Sequence, residues 1–297
     1  PLHDFTLDNG LRVLVREDQR APVVTSQLWL KVGSSHERPG QTGVSHLLEH
    51  LVFKGTDKLP GKTIVQEFAK RGMRFNGTTF YDRTNYYQTF PANPDNLKWA
   101  LEMEADRMVN SFIARKDLDT EFSVVRNEME SGENNPHMML WQRMASTAFD
   151  WHNYGKSTIG ARTDVENVKI ENLQNFYRKY YQPDNAVLLV AGKFEAASTL
   201  ALIQQVFGAI PKPNRVIEPT YTQDPAQDGT REVTVRRTGD VQLTAVLYHT
   251  AAGSHVDSAA MAALCEVLGG TPNGRLPKNM VEKKLAVNVS PWNFELA

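Results

Sequence analysis

Hydrophobic and polar residues change their spacing repeatedly along the first two thirds of the chain, which predicts an alternation of strands and helices. Continuous or every-second apolar positions indicate strands, whereas apolar positions three and four residues apart indicate helices. The predicted strands cover residues 11–16, 23–32, 74–80, 85–90 and 186–191. The predicted helices cover residues 44–53, 63–70, 95–110, 116–133, 138–149, 170–180 and 197–207. The order of these elements predicts a domain that mixes helices with strands.

The pattern breaks between residues 210 and 230, where prolines stand among polar residues. These prolines are Pro211, Pro213, Pro219 and Pro225. Such a composition is typical of a connection between domains. We therefore predict a first domain at residues 1–214, a linker at 215–230 and a second domain that begins at 231 and is cut short at 297.

The segment after the linker repeats the order of elements with which the first domain opens. Residues 232–237 and 241–249 are predicted to be strands, and 258–268 a helix. Two strands followed by a helix also open the first domain. We therefore expect the second domain to be related to the first.

Composition excludes several classes of protein. The 297 residues include 33 Lys and Arg against 34 Asp and Glu, whereas a nucleic-acid-binding protein normally has a basic excess. The single cysteine, Cys265, excludes an internal disulfide framework and a multi-thiolate metal site. Apolar runs are far shorter than the ~20 residues that span a bilayer, so no membrane span is expected. The chain has no signal-peptide pattern and starts at Pro1, which suggests a processed or trimmed product.

The pentapeptide HLLEH at residues 46–50 carries the strongest chemical signal. Histidines four residues apart lie on one face of a helix, so His46 and His50 can bind one ion, and imidazole nitrogens suit Zn²⁺. Glu49 can stand beside that metal and accept a proton from bound water. The spacing is the inverted zincin motif, H-x-x-E-H. Taken alone, the pentapeptide also fits an amphipathic helix with two partly buried histidines.

A catalytic zinc site usually has three protein ligands and an open fourth position, so a further ligand is expected. The predicted helix at 116–133 offers four glutamates: Glu121, Glu128, Glu130 and Glu133. Glu121 and Glu128 are seven residues apart and therefore lie on one face, separated by ~10 Å along the axis. Either of these two can reach the metal, and periodicity does not choose between them.

Further motifs extend the pattern over nearly the whole chain. They are GVSHLLEHLVFKGT at 43–56, FNGTT at 75–79, DRTNYY at 82–87, the run 121–128, Tyr154-Gly155, Ile159-Gly160, YYQPDN at 180–185 and Val190-Ala191-Gly192. Together they resemble the pitrilysin and insulin-degrading enzyme (insulinase) family of zinc peptidases, which is related to the mitochondrial processing peptidases.

The resemblance implies a role for each residue of the candidate site. His46, His50 and Glu128 would bind one Zn²⁺ per chain, and Glu49 would be the general base. Glu121 would hydrogen-bond a ligand imidazole and hold its orientation. The chain would then be a zinc-dependent endopeptidase.

The resemblance also implies a fold and a partner. The expected class is α+β, with two-layer α/β domains in which helices cover a mostly antiparallel sheet, one domain complete and a second begun. Family members close two such halves around a chamber. The missing half would be a continuation of the same chain or a separate subunit, and the substrate an extended peptide or unfolded protein.

The segment at residues 74–80 resembles the family's edge strand for substrate. An edge strand has unpaired N–H and C=O groups to which an extended peptide can add. Asn76 and Gly77 match the family's Asn-Ala pair at this place, and Gly77 departs from its alanine. Glycine permits close approach of another backbone but loosens a strand.

Two rival functions remain at this stage, a non-catalytic structural or assembly subunit of the same family and a module with structural zinc. The non-catalytic subunit is disfavoured because the chain keeps all four residues of the metal motif, His46, Glu49, His50 and Glu128. Structural zinc sites usually have four cysteine-rich ligands, which argues against the second. The resemblance to bacterial members favours the periplasm, with the mitochondrial matrix as the alternative.

Overall fold

A computed structural model describes residues 2–297 of the chain. Within them, six strands form one sheet in the order β1-β2-β6-β3-β5-β4. The strands are β1 (Leu2–Thr6), β2 (Arg12–Glu17), β3 (Val23–Leu30), β4 (Arg74–Thr79), β5 (Thr84–Pro91) and β6 (Ala186–Gly192). β2 and β6 pair in parallel, and every other neighbouring pair is antiparallel. β4 therefore lies at one edge of the sheet and has β5 as its neighbour.

Helices cover one face of this sheet and leave the other face more exposed. The helices are α1 (Val44–Leu51), α2 (Thr63–Lys70), α3 (Pro94–Asn110), α4 (Arg115–Glu133), α5 (Pro136–Ala148), α6 (Arg162–Glu166), α7 (Ile170–Tyr180), α8 (Ala196–Phe207) and α9 (Ser258–Gly269). Side chains alternate along β3, so that Val24, Ser26, Leu28 and Leu30 are buried while Thr25, Gln27 and Trp29 are half-buried. α3 packs on β3 and β5, α8 on β2, and α1 on β4.

The apolar face of α1 holds that helix against the rest of the domain. Val44, Leu47, Leu48 and Leu51 are buried. α1 contacts α4 and α7 as well as β4. His46, Glu49 and His50 are half-buried on the remaining side of α1, where they contact α4 and β4.

The expected fold class is confirmed, because helices cover a six-stranded sheet that is mostly antiparallel. The five strands predicted before residue 192 are present, as are the predicted helices up to residue 207. β1 was not predicted, because its sequence, LHDFT, contributes no fully buried residue to the core. α6 is a helix of five residues and was also not predicted.

The strands predicted at 232–237 and 241–249 are wrong, because both segments are irregular. Alternating apolar residues make a strand possible, but a strand forms only where a neighbour completes its hydrogen bonds. No segment among residues 2–297 pairs with either one. Val233 and Val241 are accordingly exposed rather than packed.

The chain separates into two compact units, Pro1–Ala245 and Val246–Ala297. The second unit contains α9, at the place where a helix was predicted, and a short π-helical turn at Pro277–Val281. The predicted division at residues 214 and 230 stays a prediction. Among the described residues, no helix combines the length and the apolar character that crossing a bilayer requires.

Candidate metal centre and active site

α1 brings the two histidines of the HLLEH motif together on its half-buried side. The Nε2 atoms of His46 and His50 are 3.3 Å apart, and the two rings meet edge to face. Burial, together with the neighbouring His50, lowers the pKa of His46 to about 4. The His46 imidazole is therefore neutral at physiological pH and has a lone pair available for a metal, which must bind the deprotonated form.

Glu128 of α4 completes a triangle with these two nitrogens. Its Oε2 atom lies 3.4 Å from Nε2 of His46 and 3.6 Å from Nε2 of His50. Two ligands at ~2.0–2.1 Å on a tetrahedral zinc stand roughly 3.3–3.4 Å apart. The three donor atoms thus have the spacing of one face of a tetrahedral zinc site, and they are the group among residues 2–297 that is suited to a metal ion.

Glu121 lies on the other side of the His50 ring. Its Oε2 atom accepts a hydrogen bond of 3.0 Å from Nδ1 of His50, and its Oε1 atom contacts the ammonium group of Lys54. Burial alone would raise the pKa of Glu121, but the bonds from Lys54 and His50 outweigh it and lower that pKa. An ionised Glu121 keeps the proton of His50 on Nδ1, so Nε2 is left as the metal-binding atom.

Glu49 lies between the two histidines in the sequence of α1, and its side chain contacts the edge strand β4. Its Oε2 atom accepts a hydrogen bond of 2.5 Å from the hydroxyl of Thr79 at the end of β4. Burial raises the pKa of Glu49, although the Thr79 bond and nearby His50 act in the opposite direction. A carboxylate with a raised pKa holds a proton better than a solvated one does.

The edge position expected for Asn76 and Gly77 agrees with the sheet order, since β4 pairs with β5 alone among the strands of the sheet. The side chain of Asn76 accepts a hydrogen bond of 2.9 Å from the N–H of Gly77. A Cβ atom at Gly77 would stand 2.9 Å from Cγ of Glu49. Glycine here therefore gives the Glu49 side chain room against the strand.

The remaining candidate ligands from the sequence lie away from this cluster. Glu130 faces Arg162, with 3.6 Å between the charged groups. Glu133 is exposed near the end of α4 and is not part of the metal-suited group. The sequence argument missed Lys54 and Thr79, although both stand inside the motifs at 43–56 and 75–79. A lysine and a threonine carry no metal-ligand signal of their own, and only their contacts reveal them.

The chain is similar to known proteins over nearly its whole length. Residues 12–162 match the insulinase family, peptidase family M16, and residues 167–296 match the domain described as the M16 inactive domain. His46, His50 and Glu128 all fall in the first match. The zinc protease PqqE of Helicobacter pylori is 32% identical over 302 residues, which cover 100% of this chain and 68% of that protein. A probable mitochondrial-processing peptidase subunit beta of Arabidopsis thaliana is 27% identical over 89% of this chain and 50% of its own length.

Solved structures agree with these matches. A protease from Helicobacter pylori superimposes with a TM-score of 0.87 at 29% identity, covering 100% of this chain and 72% of that one. The first half of the periplasmic protease PqqL from Escherichia coli gives a TM-score of 0.70 at 27% identity, over 76% of this chain and 49% of that one. Several of the curated relatives are thus about twice as long as the part that this chain matches.

Proposed function

The chain belongs to the insulinase family, peptidase family M16, and on that premise we propose that it carries the catalytic centre of a zinc-dependent endopeptidase. The observation that carries the proposal is the triangle formed by His46, His50 and Glu128, with sides of 3.3, 3.4 and 3.6 Å. Glu49 lies on the same helix as the two histidines, one residue before His50.

Each residue of the cluster has a separate task in this proposal. His46, His50 and Glu128 would hold the ion, and Glu121 would hold His50 in the right tautomer. Zn²⁺ would supply Lewis-acid chemistry there, by lowering the pKa of a water to ~7 and polarising the scissile carbonyl group. Glu49 would act as the general base and later as the proton donor to the leaving amine. Because the Thr79 hydroxyl occupies Oε2 of Glu49, Oε1 is the atom that we expect to accept the proton.

The substrate class follows from the edge of the sheet. An extended peptide can add to β4 as a further strand, through main-chain hydrogen bonds that require little sequence preference. The N–H of Gly77 is bonded to Asn76 in the absence of such a peptide. Entry of substrate would exchange that bond for one to a peptide carbonyl group, which gives Asn76 a binding role. We propose extended peptides or unfolded proteins as substrates.

A second half of the enzyme is also proposed, as a continuation of this chain or as a separate subunit. The chain spans 68% of its Helicobacter relative and about half of several other relatives. The first half of the Escherichia coli protease PqqL matches by itself. A periplasmic location is proposed from that periplasmic relative, and the mitochondrial processing peptidase keeps the mitochondrial matrix as the alternative.

The test separates proton transfer from metal binding. In the full-length protein, Glu49→Gln should retain about one zinc per site and lower kcat by ~10²–10⁴-fold, since an amide cannot accept the water proton. Zinc content is measured by elemental analysis and turnover with a quenched peptide. Glu102→Gln, an exposed carboxylate paired with Lys98 on α3, is the control and should leave both quantities unchanged.

Two results would count against the proposal. A Glu49→Gln variant with bound zinc and full peptidase activity would assign the base to another group. Wild-type protein that binds zinc and cleaves no peptide, even with its second half present, would favour the non-catalytic subunit.

A further inference from the structure

The helix that carries the metal-binding histidines begins without a capping side chain of its own. Its N-cap position is Gly43, with φ of 89°, which has no side chain to bond the first turn. The first N–H groups of any helix lack partners inside the helix and must be satisfied from outside. Ser45, one residue before His46, carries one of these N–H groups.

A carboxylate from the preceding loop takes this role. Oε2 of Glu37 accepts a hydrogen bond of 3.1 Å from the N–H of Gly43, and Oε1 accepts one of 2.8 Å from the N–H of Ser45. Glu37 is 6% exposed. A negative charge at the N-terminus of a helix also interacts favourably with the helix dipole.

The segment that follows α5 holds this loop and the start of α1 in place. The side-chain amide of Asn153 donates to the carbonyl oxygens of Glu37 and Ser35, both at 2.8 Å. Gly160 packs so closely that a Cβ atom there would stand 2.6 Å from the nitrogen of Gly43. The backbone of Glu37 is therefore anchored by Asn153, and the start of α1 packs against Gly160.

We propose that Glu37 is a positioning residue for the metal centre, which fixes the first turn of α1 and thereby the place of His46. The inference rests on the proposed function, because it assigns His46 to a zinc ion. Loss of these hydrogen bonds would leave the N–H groups of Gly43 and Ser45 without their acceptors and allow the first turn to fray. The imidazole of His46 would then be displaced from His50 and Glu128, whose own supports lie elsewhere.

The titration of Glu37 sets the pH range in which both of its oxygens can accept hydrogen bonds. Burial raises the pKa of Glu37 to about 7, while the bonds from Ser45 and Gly43 and the charge of Lys156 act against burial. The charged group that faces Glu37 is Lys156, whereas Asp164 bonds to Thr42 instead. Ionised Glu37 offers two acceptor oxygens to the helix, and its protonated form offers fewer. Its capping role should therefore strengthen as the pH rises through about 7 and weaken as the pH falls below that value.

The experiment measures zinc affinity of the full-length protein by competition with a chromophoric chelator at pH 8 and pH 6. Glu37→Gln keeps the shape but places an NH₂ group against one N–H donor, so zinc should bind ~10–100-fold more weakly at pH 8, as for other residues that orient a ligand. The difference from wild type should shrink at pH 6, where wild-type Glu37 is itself largely protonated. Glu37→Asp retains the charge and should lose less affinity than Glu37→Gln.

Glu195→Gln is the matched control. Glu195 also accepts hydrogen bonds from two backbone N–H groups at the start of a helix, those of Ala197 and Ser198, but its helix α8 carries no residue of the metal site. We expect Glu195→Gln to bind zinc with the same affinity as the wild-type protein. Equal zinc affinity for Glu37→Gln and wild type at pH 8, or equal losses for Glu37→Gln and Glu195→Gln, would overturn the proposal.

Hydrogen exchange of the Ser45 amide in metal-free protein is an independent readout. Glu37→Gln should speed that exchange at least tenfold, and Glu195→Gln should not change it. Unchanged exchange would overturn the positioning role. Wild-type protein that fails to bind zinc, while Ser45 loses protection in Glu37→Gln, would refute the proposed zinc function and leave the capping of α1 by Glu37 established.

Discussion

The two turns of α4 that carry Glu121 and Glu128 face the same histidine pair. They differ in how far each glutamate is exposed to solvent and in how many partners it has. The side chain of Glu121 is 8% exposed and is bonded to both Lys54 and His50. The side chain of Glu128 is 43% exposed and lies close to the two Nε2 atoms. A buried carboxylate whose two oxygens are already bonded is suited to hold a neighbour in place. An open one, beside two imidazole nitrogens, is suited to bind an ion.

The same difference explains why a spacing of seven residues is ambiguous in the sequence. Both glutamates fall on one face of the helix, so periodicity treats them alike. The surroundings of each turn come from distant parts of the chain, with Lys54 beyond the end of α1 and His50 within it. The division of tasks between the two carboxylates thus depends on tertiary contacts.

Glu128→Gln should give the largest effect on metal binding. The amide keeps the size of the side chain but removes the anionic oxygen from the triangle. We expect zinc affinity to fall by more than the ~100-fold that marks the upper range for residues behind a ligand. Glu130→Gln, another exposed glutamate of α4 that pairs with Arg162, is the control and should bind zinc like wild type. Chelator competition is the measurement, and a wild-type affinity for Glu128→Gln would remove this residue from the site.

Glu121→Gln should give an intermediate effect. The amide oxygen can still accept from Nδ1 of His50, but the negative charge that stabilises this tautomer is lost. We expect zinc affinity or kcat to fall ~10–100-fold. If Glu121→Gln lost more zinc affinity than Glu128→Gln in the same assay, the roles of the two turns would have to be exchanged.

The sequence predicted much of this site because its parts lie close together along the chain. HLLEH is contained in two turns of α1, and Asn76 and Gly77 fall in one short strand whose pattern predicts β4. The third ligand was left open by the residues alone, since it depends on how α4 packs on α1. The resemblance to the family favoured Glu128, and the triangle of donor atoms supports that choice.

Other features depend on contacts that a local pattern does not carry. Glu37 lies in a loop and gives no periodic signal, yet it bonds the first turn of α1. β1 forms at the edge of the sheet by pairing with β2, although few of its side chains are buried. The segments 232–237 and 241–249 have the opposite property, since they have a strand-like pattern and lack a neighbour. Pairing, rather than alternation of apolar residues, decides both outcomes.

Lys54→Met should give the smallest effect of the series. Methionine keeps most of the length of the side chain but removes the ammonium group from Glu121, whose bond to His50 remains. Lys54 contacts Glu121 rather than a metal-binding atom, and its side chain is 33% exposed, so water can partly replace the ammonium group beside Glu121. We therefore expect a reduction of zinc affinity smaller than that of Glu121→Gln. Lys98→Met, which removes an exposed lysine paired with Glu102 on α3, is the control and should have no effect on zinc. A loss for Lys54→Met as large as that for Glu128→Gln would show that the charge on Glu121, and not the open carboxylate of Glu128, dominates metal binding.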